Sequence, residues 1–497
     1  MKSSTLLTLM MITACSYLTL HGQIHNNLQL PLSVNSNGAA PNSSAIVDVS
    51  ATNKGLLIPR MSAAQRNNIT NPARGLMVYV TNDDQFYYYD GSNWLPIASQ
   101  TASSGPTGSW GLQPVTENAK VVANDDAADD NFGFSVSVSG DYAVIGAPND
   151  DDTASNSGSA YIFRRVGNSW VQEAKLTASD AASDDDFGTS VSISGDYAII
   201  GAPYNDDGGS NSGSAYIFKR SGPSWTQEAK LTAQDAVAGD LFGWSVAISG
   251  DDVIIGSYLD DDDGNGSGSA YIYSRNGSIW VLQSKLTAND ASISDLFGYS
   301  VSISGNYAAI GSLLDDHSNV SDAGSAYIFR RSNGTWSQHR KLIANDPDQV
   351  DLFGFSVSIS GTTAVIGAYS DDDNGSNSGS AYVYLRSGNS WSQQAKLLAS
   401  DGASSDLFGQ SVAIDGAYII VGAGNNDFTG SDAGSAYIYE RAGSTWFQTA
   451  KLTAQDGAAS DNFGSSVGIS GSWSIVGAYR DDDGGTNSGS TYFYRRQ

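Results

Sequence analysis

The chain has 497 residues, room for more than one domain, and a formal net charge of −27 at pH 7. Nearly all of the acid is Asp, with Glu only at positions 117, 173, 228 and 440; Asp is the carboxylate of turns and cation loops, whereas Glu favours helices. That charge argues against nucleic acid and anionic membrane surfaces as partners, and suits divalent cations, basic partners or plain solubility in salt.

Residues 1–22 read as a signal peptide: Lys2 is the positive end, Leu6 to Ala14 the apolar stretch, and His21-Gly22-Gln23 the exit. The one cysteine, Cys15, closes an Ile12-Thr13-Ala14-Cys15 segment that resembles a lipoprotein box. Because the apolar stretch runs on through Tyr17, Leu18 and Leu20, cleavage near Gly22 is the reading preferred over a lipid anchor. Either route leads to a secreted or cell-surface protein without a disulfide. No later run reaches about 18 apolar residues, so no transmembrane span is expected.

Residues 23–99 do not share the pattern that follows. Ser44 to Val49, Lys54 to Met61, Gly75 to Val80 and Phe86 to Tyr89 look like strand-rich segments, with a short helical stretch from Ala63 to Ile69. Lys54-Gly55-Leu56-Leu57-Ile58-Pro59-Arg60-Met61, followed by Gly75-Leu76-Met77-Val78-Tyr79, resembles a small module of secreted bacterial surface proteins and tail-fibre-like proteins. That resemblance implies a spacer or attachment role. Residues 100–109, rich in Ser, Thr, Gly and Pro, read as a linker.

From there to the end the chain repeats. Phe-Gly recurs at Phe132, Phe187, Phe242, Phe297, Phe353, Phe408 and Phe463, at steps of 55 or 56 residues, and a period that regular means one supersecondary unit copied seven times. Each copy holds four strand segments. In the second copy these are Ser190 to Ser194, Tyr197 to Ile200 across a Gly195-Asp196 turn, Ser214 to Phe218, and Trp225 to Ala233. Gly first in a two-residue turn suits a type II′ hairpin, and four hairpinned strands make a propeller blade. A lone strand, Asn118 to Ala123, precedes the first Phe-Gly, and only three strands follow the last. The N-terminal strand can therefore complete the seventh blade and hide its edges. The expected fold is all-β, a seven-bladed β-propeller over residues 110–497 closed by an N-terminal outer strand.

Phe-Gly-x-Ser-Val followed by Gly146-Ala147-Pro148 or Gly201-Ala202-Pro203 resembles the FG-GAP repeat of integrin α-subunit propellers and their bacterial relatives. The resemblance implies extracellular adhesion or recognition, with calcium (Ca2+) as a cofactor in many members. The chain departs from the integrin pattern in one place. An Asp-x-Asp-x-Asp-Gly loop between the first two strands is replaced by two-residue turns such as Gly140-Asp141 and Gly305-Asn306. Two residues cannot wrap an ion that wants six to eight oxygens.

The acid stands elsewhere. Asp-x4-Asp precedes every Phe-Gly, as in Asp180/Asp185, Asp235/Asp240 and Asp290/Asp295, and an Asp follows five residues beyond each Gly-Ala-like glycine: Asp151, Asp206, Asp261, Asp316, Asp372, Asp427 and Asp482. In an up-and-down meander these loops emerge at one end, opposite the tight turns and basic corners such as Arg164-Arg165 and Lys219-Arg220. These carboxylates are the candidate calcium ligands; equally, Asp caps its own turns, the better reading for the Asp just before Phe-Gly. The residue after each Phe-Gly varies, and is aromatic at Phe134, Trp244, Tyr299 and Phe355. Such a rim could bind a ligand by stacking on sugars or gripping a peptide, or pack between blades. The recurring Trp residues such as Trp170 and Trp391 read as structural. His317 breaks the repeat within an acidic loop, but near-interchangeable blades offer no distinct acid-base pair, so no catalytic site is expected. The sequence thus points to an adhesion or recognition propeller that binds an extracellular glycan or protein through its Asp-rich face with calcium. A glycan-degrading hydrolase and a passive matrix protein are the alternatives.

Overall fold

The computed structural model describes residues 32–35, 47–50, 59–70, 72–74, 76–81, 85–89, 94–97, 115, 117–317 and 320–496. The signal segment with Cys15, the linker at 100–109 and Trp110 lie outside the described residues. Internal contacts divide the chain into two units, Met1–Gln100 and Thr101–Gln497. Among the described residues no helix is long and apolar enough to cross a membrane.

In the first unit, Leu32–Asn35 pairs in parallel with Val47–Ser50. A four-stranded sheet runs in the order Arg60–Met61, Met77–Val80, Gln85–Tyr89 and Trp94–Ile97, with Val78 and Val80 fully buried. The helix Ala63–Asn67 opens on a capping box between Ser62 and Gln65. It is shorter than the expected Ala63–Ile69 stretch, ending where Asn68 takes the C-cap with its N–H bonded to the Ala64 carbonyl at 3.1 Å.

The second unit is seven consecutive four-stranded antiparallel sheets. In blade 2 the strands are Ser190–Ser194, Tyr197–Ala202, Ser214–Ser221 and Ser224–Leu231. Ser194 pairs with Tyr197 across the tight turn, where Gly195 takes φ +59°, the sign a II′ turn needs at its first position. Blade 7 consists of Ser466–Ser470, Trp473–Ala478 and Ser490–Arg495, completed by Ala119–Val121 from the other end of the unit. The innermost strands touch in a full circle, Ser135–Ser139 meeting both Ser190–Ser194 and Ser466–Ser470.

The repeat motif is the joint between blades. A Cβ on Gly146, the first residue of the first Gly-Ala-Pro, would stand 2.0 Å from the carbonyl oxygen of Gly188 in the next Phe-Gly. The two glycines are opposite sides of one backbone contact, which only the smallest residue allows. The serine two places after each Phe-Gly glycine donates its hydroxyl to the Phe-Gly glycine carbonyl of the following blade. The bonds run Ser135 to Gly188, Ser190 to Gly243, Ser245 to Gly298, Ser300 to Gly354, Ser356 to Gly409, Ser411 to Gly464 and Ser466 to Gly133, at 2.7–2.8 Å. The seventh returns to the first blade and closes the ring. Ser137 and Ser192 accept backbone N–H groups of Ile193 and Ile248 in the same way, so short hydroxyl side chains serve where the blades converge.

The Phe of each Phe-Gly is buried against a third-strand Tyr, as in Phe132 and Tyr161 with ring centroids 5.4 Å apart. The outer-strand Trp residues are buried too, and Trp170 stacks on Phe493 at 4.1 Å beside the closing strand. At the tight-turn end, Arg165, Arg220 and Arg275 pair with Asp141, Asp196 and Asp251. Arg220 and Arg275 also lie over Tyr142 and Tyr197 of the preceding blade, at 4.4 and 4.6 Å. Those basic corners are latches between blades.

Candidate recognition face

The Asp-bearing loops share one end of the ring because they are hydrogen-bonded to one another. The loop leading into blade 2 lies along the second-to-third-strand loop of blade 1, through Asp184 N to Ser155 O (2.8 Å), Asp186 N to Asn156 O (3.1 Å) and Phe187 N to Ser157 O (3.1 Å). The same ladder joins blades 7 and 1, through Asp129, Asn131 and Phe132 to Thr486, Asn487 and Ser488.

Within these loops the Asp positions divide into three kinds. Asp151, Asp206, Asp261, Asp316, Asp372, Asp427 and Asp482 each accept a backbone N–H five or six residues on, at 2.6–2.9 Å; all seven brace their own loop. Asp185, Asp240 and Asp295 accept the N–H three residues back, from Ala182, Val237 and Ser292, at 2.7–2.9 Å. Burial raises all three carboxyls above the ordinary range, Asp240 and Asp295 to about 6.

Asp180, Asp235 and Asp290 do something else: they accept from the outer-strand lysines Lys230, Lys285 and Lys341 at 2.6–2.7 Å. Burial works against these carboxylates, but lysine and tyrosine hydrogen bonds outweigh it and hold them below the usual range. Every blade repeats the arrangement. Lys285 also reaches Asp260 at 2.9 Å and Asp262 at 2.5 Å, and the Tyr271 hydroxyl donates to Asp260 and Asp235 at 2.8 and 3.0 Å. Lys175 is held by Asp125, Asp150 and Asp152, Lys120 by Asp456, Asp481 and Asp483, and Lys396 by Asp346, Asp371 and Asp373. In blade 4 His317 stands where other blades have the third Asp, its Nε2 lying 3.0 Å from the Gly324 carbonyl. In blade 6 Phe428 takes that place, 4.1 Å under the Lys451 ammonium.

Sequence reasoning passed over these seven lysines. Their signal was present, since Lys precedes Leu or Val at the same point of every copy, from Lys120-Val121 to Lys451-Leu452. They bear directly on calcium. Asp125/Asp150/Asp152, Asp235/Asp260/Asp262 and Asp456/Asp481/Asp483 each bring three carboxylate oxygens within 4.8 Å of one another, a composition that could hold a metal ion. All nine of these carboxylates bond a lysine ammonium. As they stand the centres do not fit a divalent ion alongside that ammonium, and the ion would have to displace it.

The variable position after Phe-Gly lies at the start of each innermost strand, on the same end. Trp244, Tyr299 and Phe355 are half-buried there and form one aromatic crescent with Tyr258 and Tyr369. Ring centroids lie 4.9 Å apart for Trp244 and Tyr258, 5.3 Å for Tyr258 and Tyr299, 5.1 Å for Tyr299 and Phe355, and 4.3 Å for Phe355 and Tyr369. Tyr258 and Tyr369 stand where the first copies have Pro148 and Pro203, a substitution visible in the sequence. Phe134, 38% exposed, pairs instead with Tyr479 at 5.5 Å where blades 7 and 1 meet. On blades 6, 7 and 1 the rim is amide-lined, with Asn462 bonded to Asn425 and Asn149 to Asn131. The face thus carries a five-ring aromatic crescent over blades 3–5 and, across from it, amides together with the Phe134–Tyr479 pair.

The family model described as "FG-GAP repeat" matches residues 115–163, 170–218, 225–273, 280–329, 336–384, 391–439 and 446–494. One described as "Phage tail like trimerisation region" matches residues 34–109. A comparison with curated proteins finds no match. Solved structures of similar course include Sqt1 of Saccharomyces cerevisiae, at 10% identity over 77% of this chain and 99% of that one, with TM-score 0.41. A chain of a mitotic checkpoint complex is 11% identical over 80% of this chain and 98% of its own, with TM-score 0.46.

Proposed function

The chain belongs to the FG-GAP repeat family, and from that premise we propose that it is a secreted recognition propeller that binds a hydroxyl-rich extracellular glycan on its Asp-bearing face. The observation that carries this reading is the crescent of Trp244, Tyr258, Tyr299, Phe355 and Tyr369. It arises where the otherwise similar copies differ, and half-exposed aromatic rings present apolar faces to sugar rings. Amides on the other side of the same face, among them Asn425 and Asn149, offer hydrogen-bonding groups to hydroxyls, while the net charge of −27 disfavours polyanions. Calcium is not part of the reading, because the carboxylates suited to it are engaged by lysines.

The match of residues 34–109 to a trimerisation region supports assembly through the first unit into a trimer that displays three propellers. A glycan array with the full chain and with Trp244→Ala and Phe355→Ala tests the binding reading. Each substitution is expected to weaken binding about tenfold or more, as loss of a central aromatic anchor does. Unchanged binding by both variants, or a wild-type chain that binds no glycan on the array, would return the crescent to a packing role.

A further inference from the structure

We infer that seven lysine side chains are the resident cations of this propeller, one at the acidic centre of each blade, where a divalent ion would otherwise stand. Each ammonium ties two loops that are far apart in sequence. Lys285, on the outer strand of blade 3, reaches Asp235 in the lead-in loop, 50 residues earlier, and Asp260 in the second-to-third-strand loop, 25 residues earlier. A divalent ion would bridge the same two loops through the same oxygens. The lysine does so from a covalent tether, so an external ion must compete with a cation permanently at the site.

Comparison among the seven blades separates the constant partner from the variable ones. The lysine is present in all seven. The first carboxylate of the second loop becomes Asn205 in blade 2 and Asn426 in blade 6, and both still accept from their lysines, at 3.1 and 3.0 Å. The third becomes His317 in blade 4 and Phe428 in blade 6. A divalent site could not lose two of three carboxylates and keep its ion, whereas an ammonium with three donors tolerates an amide, a bidentate Asp or an aromatic face. Lys341 does the second, bonding both oxygens of Asp315 at 2.9 and 2.7 Å. Burial works against the charge of Lys285. Its bonds to Asp235, Asp262 and Asp260 outweigh that and hold it above the ordinary lysine range, and Lys175, Lys396 and Lys120 behave alike.

Removing the tethered cation should therefore uncover a metal site where three carboxylates remain, and none where one remains. With the purified full chain, terbium(III) serves as the probe, because the Tyr271 hydroxyl already touches Asp260 and Asp235 and can sensitise terbium emission. Lys285→Met is expected to gain tyrosine-sensitised emission and to bind terbium at least tenfold more tightly than wild type. Lys451→Met, left with Asp401 and Asn426, should gain none. The wild-type melting temperature should be the same in calcium and in chelator. A wild-type chain whose emission equals that of Lys285→Met, no gain in that variant, or a melt lowered by chelator would each overturn the inference. Should Lys285→Met not fold, Lys175→Met repeats the test in blade 1, and the wild-type melt decides by itself.

Discussion

At the residue scale, identical chemistry at two glycines serves two different ends. Gly201 lies in the second strand of blade 2, and a Cβ there would meet the Gly243 carbonyl oxygen at 1.9 Å and the Ser190 hydroxyl at 2.4 Å. That oxygen is backbone and accepts the Ser190 bond, so neither atom can retreat without parting two blades. Gly195, in the tight turn of the same blade, has nothing within 4 Å of its missing Cβ and needs glycine only for φ +59°. Gly201→Ala should therefore cost about 3 kcal/mol or more, the upper range for forced overpacking. Gly195→Ala should cost about 1 kcal/mol, the penalty of left-handed backbone for a residue with a Cβ. Urea unfolding of the two variants checks the ranking, and equal losses would mean that the glycine contact between blades is not what holds them.

At the scale of the element, the lead-in loop carries two carboxylates that titrate in opposite senses. Burial, the largest influence on Asp240, outweighs the Val237 N–H bond and, with the charges of Asp260 and Asp261, raises it to about 6. In the unfolded chain an Asp titrates near 3.9. Between those values the native state binds more protons than the unfolded one, so stability falls as pH rises from about 4 to about 6. Asp235 is the reverse: burial raises it, but the Lys285 and Tyr271 bonds and the Lys285 charge win, and it ends lowered. Its contribution is whole above the unfolded value and is lost as pH falls through the folded one. Asp130, Asp295, Asp351 and Asp461 follow Asp240, and Asp125, Asp180, Asp290 and Asp456 follow Asp235. The melting temperature should thus peak near pH 4–5 and decline towards neutrality, with a shallower decline in Asp240→Asn; a melting temperature that climbs steadily from pH 4 to pH 7 would refute it. The strands and hairpins of each blade, and the closure by Ala119–Val121, were legible in the sequence because both rest on period and phase. Which Asp braces a turn and which holds a lysine was not. The partners of Lys285 stand 25 and 50 residues away, and only the folded meander makes them neighbours. The crescent was legible in part: Trp244, Tyr299 and Phe355 stand out as variable positions, while Tyr258 and Tyr369, about fourteen residues on in their own blades, come against them only once the first two strands pair.

At the scale of the whole molecule, the proposed trimer would answer a physical problem that the proposed binding face poses. If the half-buried rings of the crescent bind a sugar as proposed, they would cover little of it, so that one propeller alone would bind weakly, as small interfaces do. If the chain assembles as a trimer, as proposed, the second and third contacts with a polymer would become intramolecular events. Avidity for a polymer can then exceed the single-site affinity by about 10²–10⁴-fold with no new contact. In such a trimer the charge of −27 per chain would disfavour contact between like-charged propellers. The full chain should therefore scatter light as a particle three times the chain's 52.0 kDa, while the compact unit Thr101–Gln497 scatters as a single copy. On a short oligosaccharide the two should show the same Kd per propeller. On the same sugar as an immobilised polymer, the full chain should dissociate at least a hundredfold more slowly. Equal dissociation from the polymer, or a full chain that scatters as one copy, would break the link between the first unit and recognition. A difference already present on the short sugar would place part of the binding site in the first unit itself.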